Sequence, residues 1–146
     1  MVCTRRGVIA MPLILSGPWV AGPAASASGP GLAMLTYLPL PRHRALPQLA
    51  RHVGAILRAL PKQPGLVGYT LRAEPCAGRY WTLSLWEDEA ALDAFVRSPA
   101  HRRAMTALRP WMAEPAFIRW RRDSRAPLPW DEAWLHWPGR AGAFPR

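Results

Sequence analysis

The chain predicts a single α+β domain: an antiparallel sheet with helices on one face, in the element order β-α-β-β-α-β. Three observations carry this. Arg79-Tyr-Trp-Thr-Leu-Ser-Leu-Trp86 alternates like a strand, and directly after it Leu92, Phe95 and Val96 recur at helical spacing. Glu74-Pro-Cys-Ala-Gly78 is a turn between two alternating runs, which makes those runs a hairpin. The chain has 146 residues, 50% of them hydrophobic, which suits one packed core.

Residues 1–30 stand outside the predicted domain. Arg5 and Arg6 precede an apolar run from Ala10 to Ala25, and Ala25-Ser-Ala27 supplies small residues of the kind found at a signal-peptidase site. The paired arginines resemble a twin-arginine export signal. Pro12, Gly17, Pro18 and Pro23 interrupt the run, so no stable membrane insertion is expected. Cleavage after about residue 27 would make the protein periplasmic or secreted. The alternative is an over-long start with Met34 as the true first residue, which leaves the protein cytoplasmic. Cys3 falls in this segment, so Cys76 is expected to be a single loop thiol.

The domain proper is expected over residues 31–124. Leu32–Leu40 is the first strand, stopped by Pro39 and Pro41. Pro47 suits the first turn of a helix, and Leu49, Val53, Ile56, Leu57 and Leu60 form its apolar stripe. Pro61 and Pro64-Gly65 end it. Leu66–Arg72 is the second strand and Arg79–Trp86 the third. Asp88 is placed to cap the next helix, and Ser98-Pro99 restarts that helix at a new angle. His101, Ala104, Met105 and Leu108 then share one stripe, and Ala116–Arg122 is the fourth strand. Residues 125–146 form a Trp- and Pro-rich tail, in which Trp130, Trp134 and Trp137 are spaced for a short packed helix. This order is the ferredoxin-like split arrangement. Its helices cover one face of the sheet. Tyr80 and Trp86 on the other face predict that a second copy covers it, giving a homodimer.

The net charge is +10, and Lys62 is the single lysine among 19 basic residues. The arginines are spread along the chain rather than gathered in one block, so nucleic-acid binding is not expected. There is no Gly-rich phosphate loop, nucleophile elbow or dinucleotide fingerprint, and no His/Cys spacing for a metal. Glu87, Asp88 and Glu89 read as helix N-terminal acids.

Trp81-Thr-Leu-Ser-Leu-Trp-Glu-Asp-Glu-Ala-Ala-Leu-Asp-Ala-Phe-Val-Arg-Ser98, followed by His101-Arg-Arg-Ala-Met105, resembles the antibiotic biosynthesis monooxygenase family of the dimeric α+β barrel superfamily. The resemblance covers about residues 33–124 and is densest over 80–112. It implies that two subunits join their sheets as a barrel and that each keeps a ligand cleft between its sheet and its helices. Some members oxygenate polyketide-derived aromatics without metal or cofactor, others degrade haem, and many are known only as folds. The Trp and His of the haem-degrading members correspond to Phe95 and Met105 here, so no cofactor is expected on that account. Spheroidene-monooxygenase-type haem enzymes resemble the same strand and helix, which keeps haem as an alternative.

The candidate catalytic residues are His101, as a neutral imidazole base near a helix N-terminus, and Tyr37, as a hydroxyl on the first strand. Trp81, Trp86, Tyr69, Phe95 and Met105 are the candidate substrate-binding residues. By alternation Trp81 shares the helix-facing side with Leu83 and Leu85, so Trp81 is expected in the cleft and Trp86 on the barrel side. The competing reading makes His101 a core histidine bonded to a backbone carbonyl and the tryptophans packing residues. The expected function is cofactor-independent oxygenation of a small aromatic substrate; the alternative is a non-catalytic domain that binds a small apolar ligand or haem.

Overall fold

The computed structural model describes residues 13–138. Four strands make the sheet: β3 (Gly31–Pro39), β4 (Leu66–Glu74), β5 (Arg79–Trp86) and β6 (Ala116–Arg122). They lie antiparallel in the order β4-β5-β3-β6, the ferredoxin-like arrangement. Two short strands, β1 (Leu15–Ser16) and β2 (Val20–Ala21), extend the sheet along the outer edge of β4. The helices are α1 (Leu46–Ala59), α2 (Glu89–Val96), α3 (Pro99–Leu108) and α4 (Trp130–His136).

The local chemistry accounts for these bounds. The Asp88 carboxylate accepts from the Ala91 amide at 2.8 Å and starts α2. Ser98 accepts from the His101 amide at 3.4 Å and, with Pro99, starts α3 at a new angle. Gly78 closes the β4–β5 hairpin at φ +63°, where a Cβ would collide with the Leu40 carbonyl.

The register of β4 slips once. Leu66 pairs with Trp86 and Gly68 with Leu85, so Val67 is an extra residue. It re-phases the strand: Leu66, Tyr69 and Leu71 face the helices, while Val67 packs on the other side.

Two apolar layers result, one on each face. Leu32, Met34, Leu66, Tyr69 and Trp86 pack under α1 and α2 with Ile56, Leu92 and Phe95. Ala33, Leu35, Trp81, Leu83, Leu85 and Trp120 form the second layer. The expected facing of β5 is therefore reversed: Trp86 looks toward the helices, and Trp81 looks away from them with Tyr37. Alternation divides a strand into two faces without saying which one the helices cover, and here both are apolar.

The second layer is not left for another copy. Leu128 and Ala133, with Trp130, Trp134 and Trp137, cover it from the C-terminal side, and Trp19 and Ala24 from the N-terminal side. Arg122 clamps Glu132 of α4 with two contacts, at 2.8 and 3.0 Å, and the Trp120 indole donates to the same carboxylate at 3.1 Å. Burial pushes the Glu132 carboxyl upward, but these bonds outweigh it and hold the group below its ordinary value. The bare face that led to the homodimer expectation is thus covered within the chain.

Residues 13–27, set aside with the leader, line the sheet edge. Gly17 donates to the Leu71 carbonyl and Gly22 to the Val67 carbonyl, both at 2.9 Å. Residues 1–12, with most of the expected n-region, lie outside the described residues. Cys76 is disulfide-bonded rather than a single loop thiol; the chain's other cysteine, Cys3, is also outside them.

Candidate functional site

The cavity between the sheet and the helices is built by the even-numbered positions of β3 and β5 and the re-phased positions of β4. Met34 pairs with Ser84 and Thr36 with Thr82 across β3 and β5, and Tyr69 lies opposite Ser84 on β4. Val53, Ile56 and Leu57 of α1, Phe95 and Val96 of α2, and His101, Ala104 and Met105 of α3 supply the roof. The cavity measures about 90 Å³. Its polar wall is a short row of hydroxyls from Thr36, Thr82 and Ser84, and Ser84 also accepts from the Trp86 indole at 2.9 Å.

His101 owes its position to the break between α2 and α3. A helix's last carbonyls lack partners within the helix, and the His101 Nδ1 lies 3.1 Å from the carbonyl of Val96, the final residue of α2. A carbonyl can only accept, so Nδ1 carries the proton and Nε2 is left as the basic nitrogen. Burial holds the His101 pKa below its ordinary value of 6.5, and the Val96 bond pulls weakly the other way. The imidazole is therefore neutral at neutral pH. It meets the Phe95 ring edge-on at 4.9 Å between centroids, and Phe95 stacks on Trp86 at 5.1 Å.

Five of the seven expected site residues come together here: His101, Trp86, Tyr69, Phe95 and Met105. Tyr37 and Trp81 do not. Their rings lie 5.2 Å apart on the opposite face, where Tyr37 also meets Trp137 at 5.1 Å. Tyr37 therefore has no place beside His101, because odd-numbered residues of β3 face away from the helices. The wall formed by Thr36, Thr82 and Ser84 went unrecognised in the sequence; its signal was the shared parity of Thr82 and Ser84 with Trp86.

A second, open groove runs beside the cavity between α1 and the sheet. The two share Leu38, Val53, Leu71 and Thr82, and the groove adds Leu46, Leu49 and Tyr80. The Tyr80 hydroxyl is buried without a hydrogen-bond partner among the described residues, and burial raises its pKa. No cluster of three or more His, Cys, Asp or Glu is placed to hold a metal among the described residues.

The helix break and the hairpin lie where the residue pattern puts them, and the cleft lies between the sheet and the helices, as the resemblance implies. Residues 41–107 match the antibiotic biosynthesis monooxygenase family. A solved structure of an antibiotic biosynthesis monooxygenase aligns at a TM-score of 0.55 and 15% identity, over 61% of this chain and 95% of that one. A dimeric ferredoxin-like protein of unknown function from Thermobifida fusca aligns at 0.51 and 16%, over 63% and 91%. At these identities the likeness to both shows the fold. Spheroidene monooxygenase of Rubrivivax gelatinosus is 44% identical over 41 residues, 28% of this chain. The chain spans 16% of that protein's length. The match spans α1, β4, β5, α2 and most of α3, which line the cavity together with β3, a strand outside the match.

Proposed function

We propose that this chain is a monooxygenase-like protein that oxygenates a small, electron-rich aromatic substrate in the cavity under α1 and α3. One observation carries the reading: a neutral imidazole, fixed by the Val96 carbonyl, borders a largely apolar cavity. His101 Nε2 takes a proton from an acidic carbon of the substrate. The resulting carbanion gives its electrons to dioxygen, a carbon–oxygen bond forms, and the hydroperoxide loses water to leave a carbonyl. One CH₂ and one O₂ become one C=O and one H₂O, so no outside reductant is consumed.

A cavity of about 90 Å³ is smaller than the roughly 150 Å³ that admits benzene. An aromatic ring is therefore received when the cavity joins the groove across Leu38, Val53, Leu71 and Thr82. The same small volume supports the second reading, a non-catalytic domain holding a small apolar ligand. Haem does not fit these walls, because a porphyrin is several times larger than one benzene ring. Pairing of two copies, as the resemblance implies, would have to displace α4 or use another surface.

Oxygen uptake by the purified chain, measured with a panel of anthrone-like carbon acids, tests the reading. The expected result is turnover that falls about 100-fold or more in His101→Gln, the contribution typical of a positioned base. Turnover that is unchanged in that variant would remove His101 from the chemistry, and no uptake with any of them would favour the binding reading.

A further inference from the structure

The fold sorts the basic side chains into two sets. Arg72 and Arg79 pair with Glu74, Arg119 with Glu89, Arg122 with Glu132, and Arg125 with Glu87, so most arginines of the sheet and of the segment after it have an acidic partner, Arg121 of β6 being the exception among the described residues. In the helix layer, Arg51 and Arg58 on α1, Arg97 before α3, and Arg102 and Arg103 on α3 are exposed, and among the described residues none of them forms an ion pair.

The cause lies in the sequence. Glu74 is the first acidic residue of the chain, and none occurs between Asp93 and Glu114, so α1 and α3 have no acid of their own. The acids of neighbouring α2, Glu89 and Asp93, are drawn away by Arg119 at 2.7 and 3.7 Å. α1 packs against α3, and His52, Arg97, Arg102 and Arg103 line an open cleft on the layer's outer surface. Arg97, Arg102 and Arg103 are thus gathered with His52 around one cleft whose lining contains no acidic residue.

We propose that the outer surface of this helix layer docks on an anionic lipid bilayer. The argument is one of placement. The apolar cavity lies directly beneath the same two helices, with Val53 and Ile56 of α1 and Met105 and Leu108 of α3 in its wall. Apolar ligands concentrate in bilayers, and a basic layer over the cavity holds its elements at the lipid headgroups. A nucleic acid is the poorer fit, because none of the exposed residues of α1 and α3 is aromatic, so they offer bases no stacking platform. No helix among the described residues is long and apolar enough to cross a membrane, so attachment is by charge at the surface. The proposal rests on the functional reading only for the apolar character of the ligand.

Sedimentation of the full chain with phosphatidylglycerol vesicles and with phosphatidylcholine vesicles tests it. The chain is expected to pellet with the anionic vesicles alone. Raising salt from about 0.1 M to about 1 M shortens the screening range from about 10 Å to about 3 Å and is expected to release it. The double substitution Arg102→Glu, Arg103→Glu is expected to lower partitioning about tenfold or more, and Arg102→Lys, Arg103→Lys to retain it. Both pairs sit at exposed positions, and circular dichroism checks that the variants stay folded. Equal binding to both vesicle types, wild-type partitioning of the charge-reversed variant, or displacement from anionic vesicles by stoichiometric RNA would each overturn the proposal. Vesicle binding without oxygen uptake would leave the docking face standing and remove only the catalytic reading; uptake without vesicle binding would do the reverse.

Discussion

His101 gives the domain a titration that can be read in its stability. Burial keeps its folded pKa below the ordinary 6.5, so the unfolded chain binds the proton more readily than the folded one. The stability from the neutral imidazole is therefore complete above about pH 6.5 and is lost as pH falls from there toward the lower folded value. Urea unfolding of wild type and His101→Gln at about pH 7.5 and about pH 5.5 is expected to show a loss in the wild type that is smaller in the variant. Equal losses would mean that His101 titrates as it does in an unfolded chain. The place of His101 was legible in the sequence because a helical stripe marks its buried side and Ser98-Pro99 marks the break that sets it there. The place of Tyr37 was not, because Ala33, Leu35 and Tyr37 are as apolar a set as Met34, Thr36 and Leu38.

At the scale of elements, the strands and helices that carry a clear period appeared where the sequence put them, and β5 and β6 match their expected limits. Two features carry no period and were invisible. One is the extra residue in β4, which turns Tyr69 toward the cavity. The other is the pair of two-residue strands along β4, too short for alternation to show. Gly68 connects them: a Cβ at this position would run into the Trp19 ring. Gly68→Ala is therefore expected to cost the full chain about 1–3 kcal/mol by overpacking, and to be near neutral in a chain that starts at residue 28. Thermal unfolding of the four proteins checks this. An equal loss in both backgrounds would mean that Trp19 is not what limits the site. The same comparison measures what cleavage after residue 27 would remove from the fold.

For the whole molecule, the decisive feature is that both faces of one sheet are covered from within one chain. The tryptophan spacing of the tail predicted a packed helix, but the surface it packs on depends on contacts with β3, β5 and β6 that no local pattern encodes. Removing residues 125–146 is expected to bare Trp81, Leu83, Leu85 and Trp120, of which Leu83 and Leu85 are 0% exposed in the intact fold. An apolar face of that kind drives association. Light scattering after gel filtration should show the truncated chain as a larger assembly than the full chain at equal concentration. A truncated chain of unchanged state would mean that α4 is dispensable as a cover.

That arrangement also bears on how the protein is made. Residues 13–27 leave the ribosome before β3 to β6 do, and the segment from Leu128 to Trp137 leaves after all of them. Between those moments the hairpin and the helix layer are complete enough to fold, while the face around Trp81 has half its cover. A nascent chain in that interval is a target for chaperones and for pairing with a neighbour on the same message.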